Sequence, residues 1–78
     1  MLETKIKLDN VDKVIRFVNL AEKIDADMNV ICGSIVLDAR SFLGILNLDL
    51  GKLCRLQIIA DEKKHQSILS ELKEYIVA

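Results

Sequence analysis

Within its first 24 residues the chain changes hydrophobic period, and no other feature of it restricts the fold as much. Leu2, Thr4, Ile6 and Leu8 alternate with Glu3, Lys5 and Lys7, the period of a strand with one buried face. Asp9 and Asn10 follow, both good helix N-caps, with Asp12 in the favourable first turn. Val11, Val14, Ile15, Val18, Ala21 and Ile24 then recur at helical spacing, and Phe17 and Leu20 widen the stripe, so this helix needs broad cover. Asp25-Ala26-Asp27 ends it. A strand that runs straight into a long helix cannot be half of a hairpin. The helix has to cross one face of a sheet, in the right-handed sense.

The rest of the chain supplies that sheet. Met28 to Cys32 and Ile35 to Ala39 read as two strands joined by Gly33-Ser34, a glycine-first pair suited to a type II′ turn. Arg40-Ser41 opens a short helix, roughly Phe42 to Leu48, and Asp49-Leu50-Gly51-Lys52 is a turn. Cys54, Leu56, Ile58 and Ala60 alternate with Arg55 and Gln57 as a fourth strand. Asp61 caps a last helix with Ile68, Leu69, Leu72, Tyr75 and Ile76 on one stripe. The order β-α-β-β-α-β-α predicts an α+β fold: a four-stranded, mostly antiparallel sheet in spatial order 1-4-2-3, with the helices on one face. Cys32 and Cys54 are then expected to be near neighbours.

With 78 residues the chain is read as one domain, 1–78. A chain this short buries only about 60% of its unfolded surface, and a hydrophobic content of 51%, mostly Leu, Ile and Val, meets that need. A net charge of -1 argues against nucleic acid as a partner. The absence of a basic run or a long apolar run argues against a membrane partner. Met1-Leu2-Glu3-Thr4-Lys5 lacks the pattern of a signal peptide, so a cytoplasmic location is expected. Two cysteines make neither a disulfide framework nor a zinc site, and both are expected as reduced thiols packed like small hydrophobes. Asp12, Asp25, Asp27, Asp38, Asp49 and Asp61 sit at element ends and read as caps and turn residues, not as a metal loop. No metal and no cofactor is expected. His65 borders the last apolar stripe and reads as a packing or surface histidine. With no nucleophile–base pair or phosphate loop, the chain is not expected to be an enzyme.

The segment Arg40-Ser41-Phe42-Leu43-Gly44-Ile45-Leu46-Asn47-Leu48-Asp49-Leu50 brings a family into view. It resembles the regulatory-serine segment of HPr, the histidine-containing phosphocarrier family of the bacterial sugar phosphotransferase system: a basic residue, serine, two apolar residues, glycine, then an aliphatic pattern. The likeness runs from about Met28 to the last helix, and before that rests on periodicity and on Phe17-Val18. It implies the HPr-like open-faced β-sandwich. The family carries its phosphoryl group on a histidine in a Gly-Leu-His-Thr-Arg-Pro context at the start of the first helix. Aligned through Phe17-Val18, Asn10 stands at the histidine, Asp12 at the arginine and Lys13 at the proline. An amide cannot take the phosphoryl group as an imidazole can, and a carboxylate in place of the arginine inverts the local charge.

The resemblance therefore implies a non-catalytic, regulatory or protein-binding homologue without histidine relay, like the catabolite-repression HPr homologues that keep the serine alone. Ser41 is the implied phosphorylation site. Unpaired N–H groups at a helix start and the cation of Arg40 would favour phosphate there, whereas a plain N-cap serine is the bland alternative. Phe42, Leu43, Ile45, Leu46 and Leu48 are more apolar residues than one buried face uses. Phe42, Leu43 and Leu46 are expected to be exposed as a protein-binding patch, with Ile45 and Leu48 facing the core. Arg40, Arg16 and Asn10 are expected at its rim, because the resemblance joins the starts of these two helices in one face. The alternative is a small protein-binding module on the same fold with no link to sugar transport or phosphorylation.

Overall fold

The computed structural model describes residues 1–77. Four strands, β1 (Leu2–Lys7), β2 (Asp27–Cys32), β3 (Ile35–Asp38) and β4 (Leu53–Ile59), form one sheet in the order β1-β4-β2-β3. Every neighbouring pair is antiparallel. The helices are α1 (Val11–Lys23), α2 (Phe42–Leu46) and α3 (His65–Glu71). β4 is central, with Leu56 opposite both Thr4 and Val30, and Ile58 opposite both Leu2 and Met28. Because side chains alternate between faces, Ile6, Met28, Val30, Leu56 and Ile58 share one face. They form one buried cluster with Val14, Phe17, Val18 and Ala21 of α1, Ile45 of α2, Ile68 of α3 and the following Leu72 and Tyr75. All helices thus lie on one face of the sheet, as the element order predicts.

The β2–β3 turn also follows its sequence. Cys32 pairs with Ile35 across the two residues Gly33-Ser34. Gly33 has φ 62, and among the described residues no non-glycine has positive φ. Positive φ at the first turn position alone is the signature of type II′.

Three expectations are corrected. Cys32 and Cys54 are joined as a disulfide, with their Cα atoms 4.8 Å apart. They lie one step beyond the Ile31–Arg55 pair, directly opposite each other and on the core side. That separation is within the span a disulfide bridges, and a count of cysteines carries no such geometry. The last helix is broken. A 3-10 turn at Glu62–Lys64 precedes α3 and another at Lys73–Tyr75 follows it. Tyr75 is drawn edge-on against Phe17, ring centroids 5.4 Å apart. Ile76 then bridges to Ile6, and the Val77 N–H donates to the Lys5 carbonyl at 2.9 Å. The outer edge of β1 offers unpaired backbone groups, and the chain end satisfies some of them instead of continuing as helix. The α1 stripe is also narrower than its apolar residues allow: Val11 and Ile15 stay 50% and 42% exposed.

Candidate functional site

The starts of α1 and α2 frame the region where the candidate residues fall. Asn10 is the N-cap of α1, in extended conformation, and its side-chain oxygen accepts from the Lys13 backbone N–H at 2.8 Å. The amide that stands where the resemblance implies a histidine is therefore part of the helix cap. Two carboxylates flank it. Asp9 pairs with the Lys13 ammonium at 3.1 Å, and the hydrogen bond from that ammonium holds the Asp9 carboxyl below its usual range. Asp12 accepts from Arg16 Nε at 2.9 Å. The positive end of the α1 dipole thus already faces two fixed anions.

Arg16 is drawn away from α2. Its guanidinium also pairs with Glu74, in the turn after α3, on the flank of α1 where Tyr75 meets Phe17. Those two carboxylates raise its pKa, Glu74 more than Asp12. The opposite flank carries Ile15, Val18, Asn19 and Glu22, which form a groove with Phe42. The guanidinium of Arg16 is thus engaged by Glu74, 58 positions along the chain, and by Asp12.

Ser41 precedes α2 with φ -85 and ψ 86, and its side chain makes no capping bond. Ser41 thus holds the N-cap position of the bland alternative, without a side-chain capping bond. Its hydroxyl instead lies against Gly44: a Cβ built on Gly44 would sit 2.8 Å from Ser41 Oγ and 3.2 Å from Leu37 Cδ2. The missing side chain at Gly44 is what lets the serine, Leu37 and the helix approach so closely. Arg40 is also engaged. Its Nε and Nη2 both reach the Asp38 carboxylate at 3.0 Å, its backbone N–H donates to the same group at 2.8 Å, and Asp27 is 3.5 Å from Nη2. Asp38 is held below its usual range, first by the Arg40 side chain and then by its backbone N–H. The Arg40 cation is thus committed to carboxylates and not directed at Ser41.

The five residues of α2 divide their apolar surplus unevenly. Ile45 is fully buried and Leu43 is 73% exposed, both as predicted. Phe42 and Leu46 are half-buried against the core, which corrects the expectation that they are largely exposed. α2 is too short to have a solvent side and a core side of equal width, so its flanking residues lean onto the core, Phe42 beside α1. Leu48, expected in the core, is also half-buried, beyond the end of the helix. Val11 and Ile15 supply the exposed apolar surface that Phe42 and Leu46 do not. The signal for them is the excess of apolar positions on α1, more than one core-facing stripe holds.

His65 begins α3 and its Nε2 lies 3.0 Å from the Ala60 carbonyl, a packing role as expected. Among the described residues no group of three His, Cys, Asp or Glu side chains is arranged to hold a metal, and no helix is long and apolar enough to cross a membrane.

A family model described as "PTS HPr component phosphorylation site" matches residues 13–78. The matched stretch begins just after Asn10 and Asp12. No curated protein matches the chain. Among solved structures, the crystal structure of HPr-C-His from Thermoanaerobacter tengcongensis has the same fold, with a TM-score of 0.72 and 24% identity, over 95% of this chain and 92% of that one.

Proposed function

The chain belongs to the HPr family of the phosphotransferase system, and we propose that it is a regulatory, protein-binding member that does not relay phosphate through a histidine. One observation carries the binding half of this reading. Leu43 on α2 and Val11 and Ile15 on α1 leave large apolar side chains in solvent, and Ile15 and Phe42 line a groove between the two helices. Apolar surface gathered in one place marks a docking site more often than apolar residues scattered singly. The partner is a protein, as for the family.

The relay half rests on Asn10 and its neighbours. Asn10 is committed to the helix cap, and Asp9 and Asp12 occupy the charge environment a phosphoryl group would need. A group that must attract a dianion is poorly placed between two carboxylates. His65, bonded at the start of α3, has no such setting. The protein acts in the cytoplasm and is not itself an enzyme.

Ser41 is the regulatory position in this reading. Its hydroxyl is free of any capping bond and adjoins Phe42 and Leu43. A phosphoryl group there would bring a charge of about -2 to the edge of the apolar patch and change which partner surface fits it. With Arg40 already paired, the effect falls on the partner and not on the fold of the isolated chain.

Intact-mass measurement tests both halves. Incubation with phosphoenolpyruvate and the general phosphotransferase enzyme should leave the mass unchanged. Incubation with ATP and an HPr kinase should add one acid-stable phosphoryl group, lost in Ser41→Ala. Acid-labile phosphate on His65 at a working relay rate would overturn the first half. The docking surface is read separately, from NMR shifts on titration with the same two proteins, and shifts confined to the open face of the sheet would refute it.

A further inference from the structure

Cys32 and Cys54 hold a place in this fold that the docking reading does not use. They end the β2–β4 ladder on its core side, one step past the last paired residues, Ile31 and Arg55. Their bond closes a loop of sequence separation 22 that contains β3, α2 and the turn leading into β4. That turn is tied elsewhere by few bonds. The Gly51 N–H donates to the Leu8 carbonyl at 3.0 Å, and Lys52 pairs with Asp49 at 3.1 Å on the surface. Leu48 and Leu50 are half-buried beside Cys54. The disulfide is thus a principal tether of the segment 47–53, and through Leu8 it adjoins the start of α1.

Both cysteines are half-buried, not sealed in the core. Cys32 lines a surface concavity of about 340 Å³ with Ile35, Asn47, Asp49 and Lys52. Cys54 lies on the narrower side, under Leu48 and Leu50. A sulfur that borders a solvent concavity is open to exchange, whereas one enclosed by core side chains is inert.

We propose that Cys32 and Cys54 form a reversible thiol–disulfide site that exchanges with a small or protein disulfide and clamps segment 47–53. In the oxidising direction the Cys32 thiolate attacks one sulfur of glutathione disulfide, or of a protein disulfide, and expels a thiolate. The Cys54 thiolate then attacks the Cys32 sulfur of the mixed disulfide and expels the second thiolate. Two electrons pass from the cysteine pair to the incoming disulfide, and the two cysteine protons go to the departing thiolates. Cys54 Sγ lies 3.8 Å from the Lys52 carbonyl, which would serve a Cys54 thiol as an acceptor once the bond opens. Strand pairing through Ile31–Arg55 and Lys7–Leu53 does not involve the bond, so the sheet persists when it opens. The effect on docking rests on the reading above, because α2 belongs to the same closed loop; the redox site itself does not.

The test uses the full chain equilibrated in glutathione buffers of graded ratio, quenched with iodoacetamide and weighed intact. The expected result is a reversible passage between zero and two alkylated thiols, with the circular dichroism spectrum of a folded protein at both ends. Hydrogen exchange of residues 47–53 should be on the order of tenfold faster in the reduced form, with α1 and β1 unchanged. The double variant Cys32→Ser with Cys54→Ser should exchange as the reduced form does under every buffer. Failure of the pair to oxidise with glutathione disulfide overturns the site. Global unfolding on reduction overturns the switch and makes the bond a structural staple. Equal exchange rates at 47–53 in the two states overturn the clamp. None of these readouts involves a partner, so they are independent of whether the α1–α2 surface binds one.

Discussion

Ile45 and Leu43 sit two residues apart on α2, yet truncating them should have very different costs. Ile45 is 0% exposed and packs in the same cluster as Ile6 and Val30. Ile45→Ala deletes three carbon groups worth about 0.8 kcal/mol each in transfer free energy, and the cavity left behind adds to that. A loss of about 3 kcal/mol is expected, within the 2–5 kcal/mol typical of such changes. For a domain of this size each kcal/mol moves the melting midpoint by about 4–8 °C, so the melt should drop by roughly 12–24 °C. Leu43 retains 73% of its exposure. About a quarter of the ~2 kcal/mol that full burial of a leucine contributes is at stake, near 0.5 kcal/mol, and the better helix propensity of alanine offsets part of it. The midpoint of Leu43→Ala should move by about 4 °C or less. Thermal melts followed by circular dichroism, with urea titrations to check that the slope is unchanged, read both variants. Titration with the general phosphotransferase enzyme then reads binding, which Leu43→Ala should weaken. If Leu43→Ala destabilises as much as Ile45→Ala, Leu43 is a core residue and the docking argument loses its main support.

Three further outcomes follow from the same geometry. Gly44→Ala should not show the ~1 kcal/mol gain of alanine over glycine in a helix, because the new Cβ meets Ser41 Oγ and Leu37; in a Ser41→Ala background the same change should be more favourable by about 1 kcal/mol, and additive melts would disprove the contact. Asp38 is held below its ordinary value of 3.8 by Arg40, so the unfolded chain binds that proton more readily and the contribution to stability, in place above pH 3.8, is lost as the pH falls through the folded-state value. Asp38→Asn should therefore melt lower than the parent at pH 7 and converge with it in acid; a constant difference across pH would assign the effect to something other than this carboxylate. Asn10→His removes the side-chain acceptor for the Lys13 N–H, so it should cost about 1 kcal/mol of stability, and by mass it should gain no phosphate from the general enzyme, since Asp12 remains.

The strands were legible because their information is local. Leu2 to Leu8 and Cys54 to Ala60 alternate with period two, and a crossover helix with one tight hairpin leaves few ways to order four strands. Gly33 and Asn10 were legible for the same reason, since a turn and a cap are set within three residues. What was not legible is who stands across from whom. Arg16 reads as an unpaired cation until Glu74, 58 positions away, takes its guanidinium. Arg40 reads as a free cation until its near neighbour Asp38 and, from the start of β2, Asp27 take its guanidinium. Periodicity tells that α1 and α2 carry surplus apolar residues but not which are left over. Packing against the core decides that, and it keeps Leu43, Val11 and Ile15 outside while taking in Phe42 and Leu46 by half.

Relay and docking make opposite demands on the start of α1, and in the reading proposed here this chain is arranged to meet only the second. A phosphoryl carrier needs an unencumbered nucleophile at the positive end of the helix and cations to receive the dianion. Here the side chain at position 10 is bonded into the cap, and the nearby cations Lys13 and Arg16 are each paired with a carboxylate. Those pairs are exposed and individually worth little, so stability alone does not explain them. Their effect on an incoming anion is larger, since Asp9 and Asp12 repel it before it can compete for the cations. An apolar partner surface meets no such barrier. Leu43, Val11 and Ile15 offer it contact area without charge, and uncharged contact at the centre of an interface is what most protein docking uses. In the reading proposed here, the same face can therefore lose the chemistry of its family and keep its capacity to be bound.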